Sequence, residues 1–462
     1  MLRRSTSVLC LVACAAVLWG IWRLTESTLD QPPTPELQFW PFRRMQPAPP
    51  RRPPSQQQQG QQPGQQPAGP SQKPAAATPA GQALPAEKAP LIRVGLFGDG
   101  QRSVALEVSG PFVIKATGSD KVLLSKEGLG PTAVTATPAG LKLGKQALAA
   151  TQVEIFPTRS PAVWIEGHQY RGTVRLYRQE GNTVAAVNVL PLEEYTASVV
   201  DGEMPAAFPD EARKAQAIVA RTYALYQKQV AERGSIADLF ASTRSQKYLG
   251  YQYREGGKLL AGESESSRKI AAATRGQVCH YQGKIFCTYY CAVCGGSTVR
   301  GTEVFSDAAP PLVSVKCDFC REARLYRWTA EVSKAELQKE LDPWFREKGR
   351  KLGTLKTVSL SRPTPGSALP EFDIRADGPS LRISGAELRQ LLSGRGLYSP
   401  QFTIADKGRT FQINGRGHGH GVGLCQWGAR GQALEGRTCQ QILSYYYPGS
   451  TVALREKVVS RK

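Results

Sequence analysis

Branched apolar residues recur in short runs from Leu91 onward: LIRVGLF, SVALEVSG, PFVIKA, VWIEG, TVRLYR and TVAAVNV, bounded by Gly, Asp, Asn or Pro. Runs of this length between turn-forming residues predict strands. The period then changes. In LPLEEYTASVV, Leu192, Tyr195 and Val199 stand at i, i+3 and i+7, the spacing of one face of a short helix. A loop, DGEMPAAFP, leads to a longer helix, DEARKAQAIVARTYALYQKQVAERG, with Asp210 as the expected cap and Gly234 as the stop. Ala212, Ala215, Val219, Tyr223 and Tyr226 form its inner stripe, whose small residues permit close packing. Residues 270 to 320 predict a β-hairpin among most of the cysteines. Residues 328 to 410 read as mixed α/β, with LRISGAELRQLL a strand running into a helix. There is no internal repeat. The expected fold class is α+β: a β-rich body with a helix pair.

The N-terminus has a different texture. Arg3 and Arg4 precede an apolar run from about Ser7 to Trp22, ended by Arg23. A positive start and an apolar segment slightly short of a bilayer span predict a signal anchor over residues 1–23. LVAC at 11 to 14 also resembles a lipoprotein cleavage box, and a cleaved signal peptide fits as well; the uncleaved anchor is favoured because the apolar run continues past Cys14. All three readings export the body to the cell envelope. Residues 24–90 follow as a Pro/Gln-rich linker: 16 of the chain's 33 prolines lie between 31 and 90, with no apolar periodicity to bury. Such a segment is expected to be a disordered tether, averaging roughly 50 Å end to end.

Composition narrows the partners. The 462 residues carry a formal charge of +21, which favours acidic partners such as an anionic membrane surface or wall polymer, or simply keeps an exported protein soluble. No zinc-finger, helix-turn-helix or aromatic RNP pattern supports nucleic acid.

Eight cysteines lie beyond the apolar segment, and four read CAVC (Cys291, Cys294) and CDFC (Cys317, Cys320), separated by 22 residues. Two C-x2-C pairs at close to zinc-ribbon spacing predict a structural zinc site of four thiolates with no open position. A disulfide framework is the alternative that an exported setting would favour. Cys279, His280 and Cys287 are nearby spares, and the state of Cys425 and Cys439 stays open.

In NGRGHGHGVGLCQWGA, residues 414 to 429, a glycine stands at every second position from Gly415 to Gly423. No register gives a dinucleotide fingerprint, and the G-K-[ST] of a phosphate loop is missing. Read as an extended strand, the stretch puts five glycines on one face and Arg416, His418, His420 and Val422 on the other. A ligand site, a tightly packed structural strand and a metal site on His418 and His420 all fit that pattern.

Four motifs, in order, carry a resemblance: VNVLPLEEYTASVVDGEMPAAFPDEARKAQAIVARTYAL, STRSQKYLG, YYCAVCGGST and GRGHGHGVGLCQWGARGQALEGRTCQQILSYYYPGSTV. They resemble the stage II sporulation protein D / LytB family and cover most of residues 95 to 453. The resemblance implies peptidoglycan as partner, with glycan-strand cleavage by a lytic transglycosylase in some members and enhancement of a cell-wall amidase in others. It implies that Glu203, in the EMP motif, is the catalytic acid. It also implies a cleft lined by Gln246 and Tyr248 from SQKY, and by His418, His420, Gln426 and Trp427. A transglycosylase needs one carboxyl group, whereas a hydrolase would draw a second from Asp201, Glu193 or Glu194, of which Glu193 and Glu194 read as exposed.

Two departures stand out. Cys291 replaces a histidine and Cys425 a serine found in many relatives. The first keeps a metal ligand and favours zinc on Cys291, Cys294, Cys317 and Cys320. The expected organisation is an anchor over 1–23, a linker over 24–90, a domain over 91–455 with a zinc-thiolate subregion at 279–320, and a basic tail over 456–462. No organic cofactor is expected. The rival expectations are a non-catalytic wall-binding protein that activates an amidase and a glycan-binding envelope protein.

Overall fold

The computed structural model describes residues 90–459, apart from 363–366 and 379. The predicted anchor and linker lie outside the described residues, as do 460–462; the basic tail expected from 456 starts inside a short helix, Arg455–Val459. No helix among the described residues is long and apolar enough to cross a membrane.

The predicted strands form. Leu91–Gly95, Phe112–Ala116, Thr173–Gln179 and Thr183–Pro191 join a seven-stranded sheet, and Ser103–Val108 and Val163–Ile165 join an eight-stranded one. Alternating burial along Ser103–Val108 turns Val104, Leu106 and Val108 inward. There they share one core with Val94, Ile114, Ile155 and Val174 of the other sheet. Each such side chain contributes roughly 1.5–3 kcal/mol by leaving water.

The last strand of this group runs directly into helix α1, Leu192–Glu203, and α2 follows at Asp210–Val230. Helix α1 continues through Glu203, which the sequence placed in the loop. The Met204 N–H still bonds to the Val200 carbonyl, and Met204 itself turns extended ahead of Pro205. In α2, Asp210 is the first helical residue, not the cap; Pro209 precedes it and no side chain caps the helix. The small residues Ala212, Ala215, Ala217, Ala220 and Ala224 are fully buried there.

Two ion pairs lock α1 to α2. Arg213 donates to Asp201 at 2.6 Å, and Arg221 holds Glu193 through both carboxylate oxygens at 2.9 and 2.7 Å. Both arginines are fully buried. This corrects the reading of Glu193 as an exposed helix residue: a buried guanidinium from α2 needs its charge. Glu194, also expected to be exposed, is half-buried, and burial raises its pKa.

A second core surrounds α2, the cysteines, and helices α3 (Gln426–Leu434) and α4 (Cys439–Tyr446). The predicted hairpin pairs Gln277–Tyr281 with Lys284–Ile285, and Thr451–Leu454 adds a third strand. Between 325 and 413 a separate core gathers Trp328, Leu337, Phe345, Phe372 and Phe411. Here LRISGAELRQLL forms strand Leu381–Ser384 and helix Gly385–Leu391, capped by Ser384 with Glu387 reciprocating.

The glycine-rich stretch departs from its predicted shape. The strand Thr410–Arg416 ends before it, and Gly417, Gly419, Gly421 and Gly423 all take positive φ, between 73° and 97°. Alternate left-handed residues wind the chain, so the glycines do not present one flat face. Single bridges tie the turns down, His418 against Val293 and Val422 against Val299.

Candidate active site

Glu203 ends α1 with its carboxyl half-buried and bonded by three donors. Oε1 accepts the Lys247 backbone N–H at 2.7 Å and the Tyr290 hydroxyl at 2.9 Å. Among the described residues, Oε2 accepts only the Gln426 side-chain amide, at 3.3 Å. The preceding residue makes the Lys247 contact possible: a Cβ at position 202 would collide with the Lys247 carbonyl, so only glycine lets that segment lie against the helix end. Burial raises the Glu203 pKa, and the three donors and the Lys247 charge only partly offset it.

A hydrogen-bonded chain stands behind the carboxyl. Tyr195 donates to Gln246 Oε1 at 2.9 Å, and Gln246 Nε2 donates to the Tyr290 oxygen at 3.3 Å, which in turn donates to Glu203. Gln246 is fully buried, so it orients Tyr290 from behind. Burial, followed by the Glu203 charge, pushes the Tyr290 pKa well up, keeping it a donor. Tyr248 lies elsewhere. It is buried in the core between the sheets, and its hydroxyl donates to Asn188 Oδ1 at 2.7 Å, which removes it from the expected cleft wall.

Gln426 opens α3, and Trp427 beside it is half-buried. The Trp427 ring meets Phe208 edge-on at 5.4 Å, with the Arg430 guanidinium 5.2 Å from its centre. Phe208 comes from the loop after Glu203, so this aromatic ledge and the carboxyl share neighbouring segments. His420 accepts the Val422 N–H on Nδ1 at 3.0 Å and packs edge-on against Phe305 at 5.0 Å. Burial lowers its pKa to about 4, leaving it neutral at physiological pH. His418 packs edge-on against Tyr398 at 5.7 Å, and burial lowers its pKa too. The two rings thus sit in different aromatic pockets.

Residues 180–281, which include α1, Glu203 and Lys247, match the family model described as stage II sporulation protein, SpoIID. Stage II sporulation protein D of Bacillus subtilis is 31% identical over 290 residues, covering 61% of this chain and 79% of that protein. This chain belongs to the stage II sporulation protein D family. An uncharacterised protein of Brachyspira hyodysenteriae is 30% identical over 360 residues, 78% of this chain and 92% of its own. The amidase enhancer of Bacillus subtilis is 26% identical over 338 residues, 63% of this chain and 45% of that protein. Residues 308–423, most of them in the separate core, match a model described as a domain of unknown function, DUF8618.

The SpoIID match stops at 281, short of Tyr290, Gln426 and the clustered cysteines. Four sulfurs converge, and they are not the predicted four. Cys294, Cys317, Cys320 and Cys425 lie with their Sγ atoms within 4.8 Å of one another. Cys291 falls outside the group, although its strand pairs in parallel with Leu424–Cys425 and its side chain neighbours that of Cys425. Tyr290 is the site residue that sequence reasoning missed, although it stands inside the quoted YYCAVC motif. Arg430 was missed as well, although it stands one helical turn after Trp427.

Proposed function

We propose that this protein acts on peptidoglycan at the cell envelope and cleaves its glycan strands as a lytic transglycosylase, with Glu203 as the one acid and base. The observation that carries this reading is the unequal pair of Glu203 oxygens. Oε1 accepts two bonds at 2.7 and 2.9 Å, while Oε2 accepts one at 3.3 Å, so Oε2 is the atom free to carry a proton. Burial favours that protonated form.

The chemistry then balances without water. The Oε2 proton passes to the glycosidic oxygen as its bond to the muramyl C1 breaks. The muramyl 6-hydroxyl oxygen bonds to that C1, and its proton returns to the Glu203 carboxylate, leaving a 1,6-anhydro end. The half-buried Trp427 ring, braced by Phe208 and Arg430, offers a stacking surface for a pyranose. Two of the three acids that a hydrolytic route would draw on are tied up: Asp201 by Arg213 and the Ser264 N–H, Glu193 by Arg221.

Kinship with an amidase enhancer favours a second reading, in which the same cleft grips glycan and activates a cell-wall amidase without cutting. In either case the N-terminal apolar segment would hold the body at the membrane. Purified full-length protein incubated with peptidoglycan, with and without stem peptides, decides between them by mass spectrometry. Anhydro-muramyl ends that vanish with Glu203→Gln support cleavage. Binding without new ends, together with faster amidase turnover, supports the second reading.

A further inference from the structure

Three chain segments meet at one knot of sulfur. Cys294 follows strand Tyr290–Cys291, Cys317 and Cys320 flank a tight turn, and Cys425 precedes α3. All four thiols are fully buried. We propose that Cys294, Cys317, Cys320 and Cys425 bind one zinc ion as four thiolates, and that this ion pins the segments carrying Tyr290 and Gln426.

The distances fit a metal. A tetrahedral zinc-thiolate site with bonds of about 2.3 Å needs its sulfurs about 3.8 Å apart. Cys294 and Cys320 stand at 3.6 Å, and the whole set lies within 4.8 Å. A disulfide would need about 2.0 Å. Four thiolates with no histidine or carboxylate suit zinc in a closed, structural site, with iron as the competitor that metal analysis separates.

The surroundings are shaped for charged sulfur. The backbone N–H groups of Cys294 and Gly428 both donate to Cys425 Sγ at 3.3 Å, and the Tyr446 hydroxyl lies 3.2 Å from Cys317 Sγ. Such outer contacts orient ligating thiolates and offset their charge. Gly428 is part of the fit: a Cβ there would stand 2.7 Å from Cys317 Sγ and would run into the Tyr446 hydroxyl.

The consequence for the carboxyl follows from chain connectivity. Gln426 is the residue after Cys425, and Tyr290 lies four residues before Cys294. Their strands also pair, Tyr290 with Leu424 and Cys291 with Cys425. One ion therefore ties down both side-chain donors to Glu203.

The test needs no substrate, so it stands apart from the proposed glycan cleavage. Metal analysis of the purified full-length protein should give one zinc per chain and no disulfide among the four thiols. Cys425→Ser and Cys317→Ser should each lose the metal, while Cys291→Ser keeps it. Should the variants fail to fold, cobalt exchanged into the unaltered protein should show the intense thiolate-to-cobalt band of a four-sulfur site. Chelation should lower the melting temperature. A metal-free protein, oxidised thiols, iron in place of zinc, or zinc lost with Cys291→Ser but kept with Cys425→Ser would each overturn the proposal.

Discussion

Glu203 and Gln426, 223 residues apart in the chain, meet in the fold, with the Gln426 amide donating to Glu203 Oε2 at 3.3 Å. Gln426 reaches this place because Leu424–Cys425 pairs in parallel with Tyr290–Cys291, which sets both side-chain donors against the end of α1.

Replacing the acid should stabilise the protein at neutral pH. Burial raises the Glu203 pKa above its unfolded value, so the fold favours the protonated form. The stability linked to that proton is full below the ordinary carboxylate range and is lost as pH rises through the folded value. Glu203→Gln, neutral throughout, should therefore raise the melting temperature at pH 7 by about 2–4 °C per kcal/mol recovered. The gain should shrink as pH falls through the folded value and disappear below pH 4 or so. Thermal melts across pH 4 to 8 check this; a gain that grows toward acid would contradict it.

Tyr290→Phe removes a donor that favours the charged carboxylate, so the Glu203 pKa should rise further. A hydrogen bond to a charged group is worth about 1.5–3 kcal/mol, and each 1.36 kcal/mol is one pH unit. The alkaline limb of glycan cleavage, where Glu203 must still hold its proton, should move up by about one pH unit or more. A pH–rate profile with an unmoved limb would remove Tyr290 from the site.

Tyr248 and Trp427 should behave oppositely. Tyr248→Phe leaves Asn188 Oδ1 short of its 2.7 Å donor in the core, at a stability cost of about 1–3 kcal/mol, with KM and kcat unchanged. Trp427→Ala should raise KM for glycan several-fold with a smaller effect on stability. Kinetics and denaturant unfolding of both variants separate the roles.

Arg221→Leu strands Glu193 among buried neighbours and should cost about 3–5 kcal/mol in denaturant unfolding. Adding Glu193→Gln should restore part of that loss, because the uncompensated charge is then gone.

The strands and both helices were legible because their apolar periods, two and then 3.6, survive into burial. Glu203, Gln426 and Trp427 came from motif resemblance, and the fold brings Gln426 to the carboxyl. The misreadings share a cause: the outcome depended on partners far along the chain. Alternating glycines have the period of a strand, yet four of them take positive φ and wind the chain. Tyr248 resembles a cleft residue until Asn188 claims its hydroxyl. The C-x2-C pairing nominated Cys291, but the fold delivered Cys425. Glu193 has the look of a surface residue until Arg221, 28 positions later, is buried against it.

The central claim is that one carboxyl group cuts the strand without water, and digestion of peptidoglycan in H2(18)O tests it most directly. The account predicts new anhydro-muramyl ends without heavy oxygen, formed by the native protein and not by Glu203→Gln. Reducing ends carrying heavy oxygen, or no new ends at all, would contradict it.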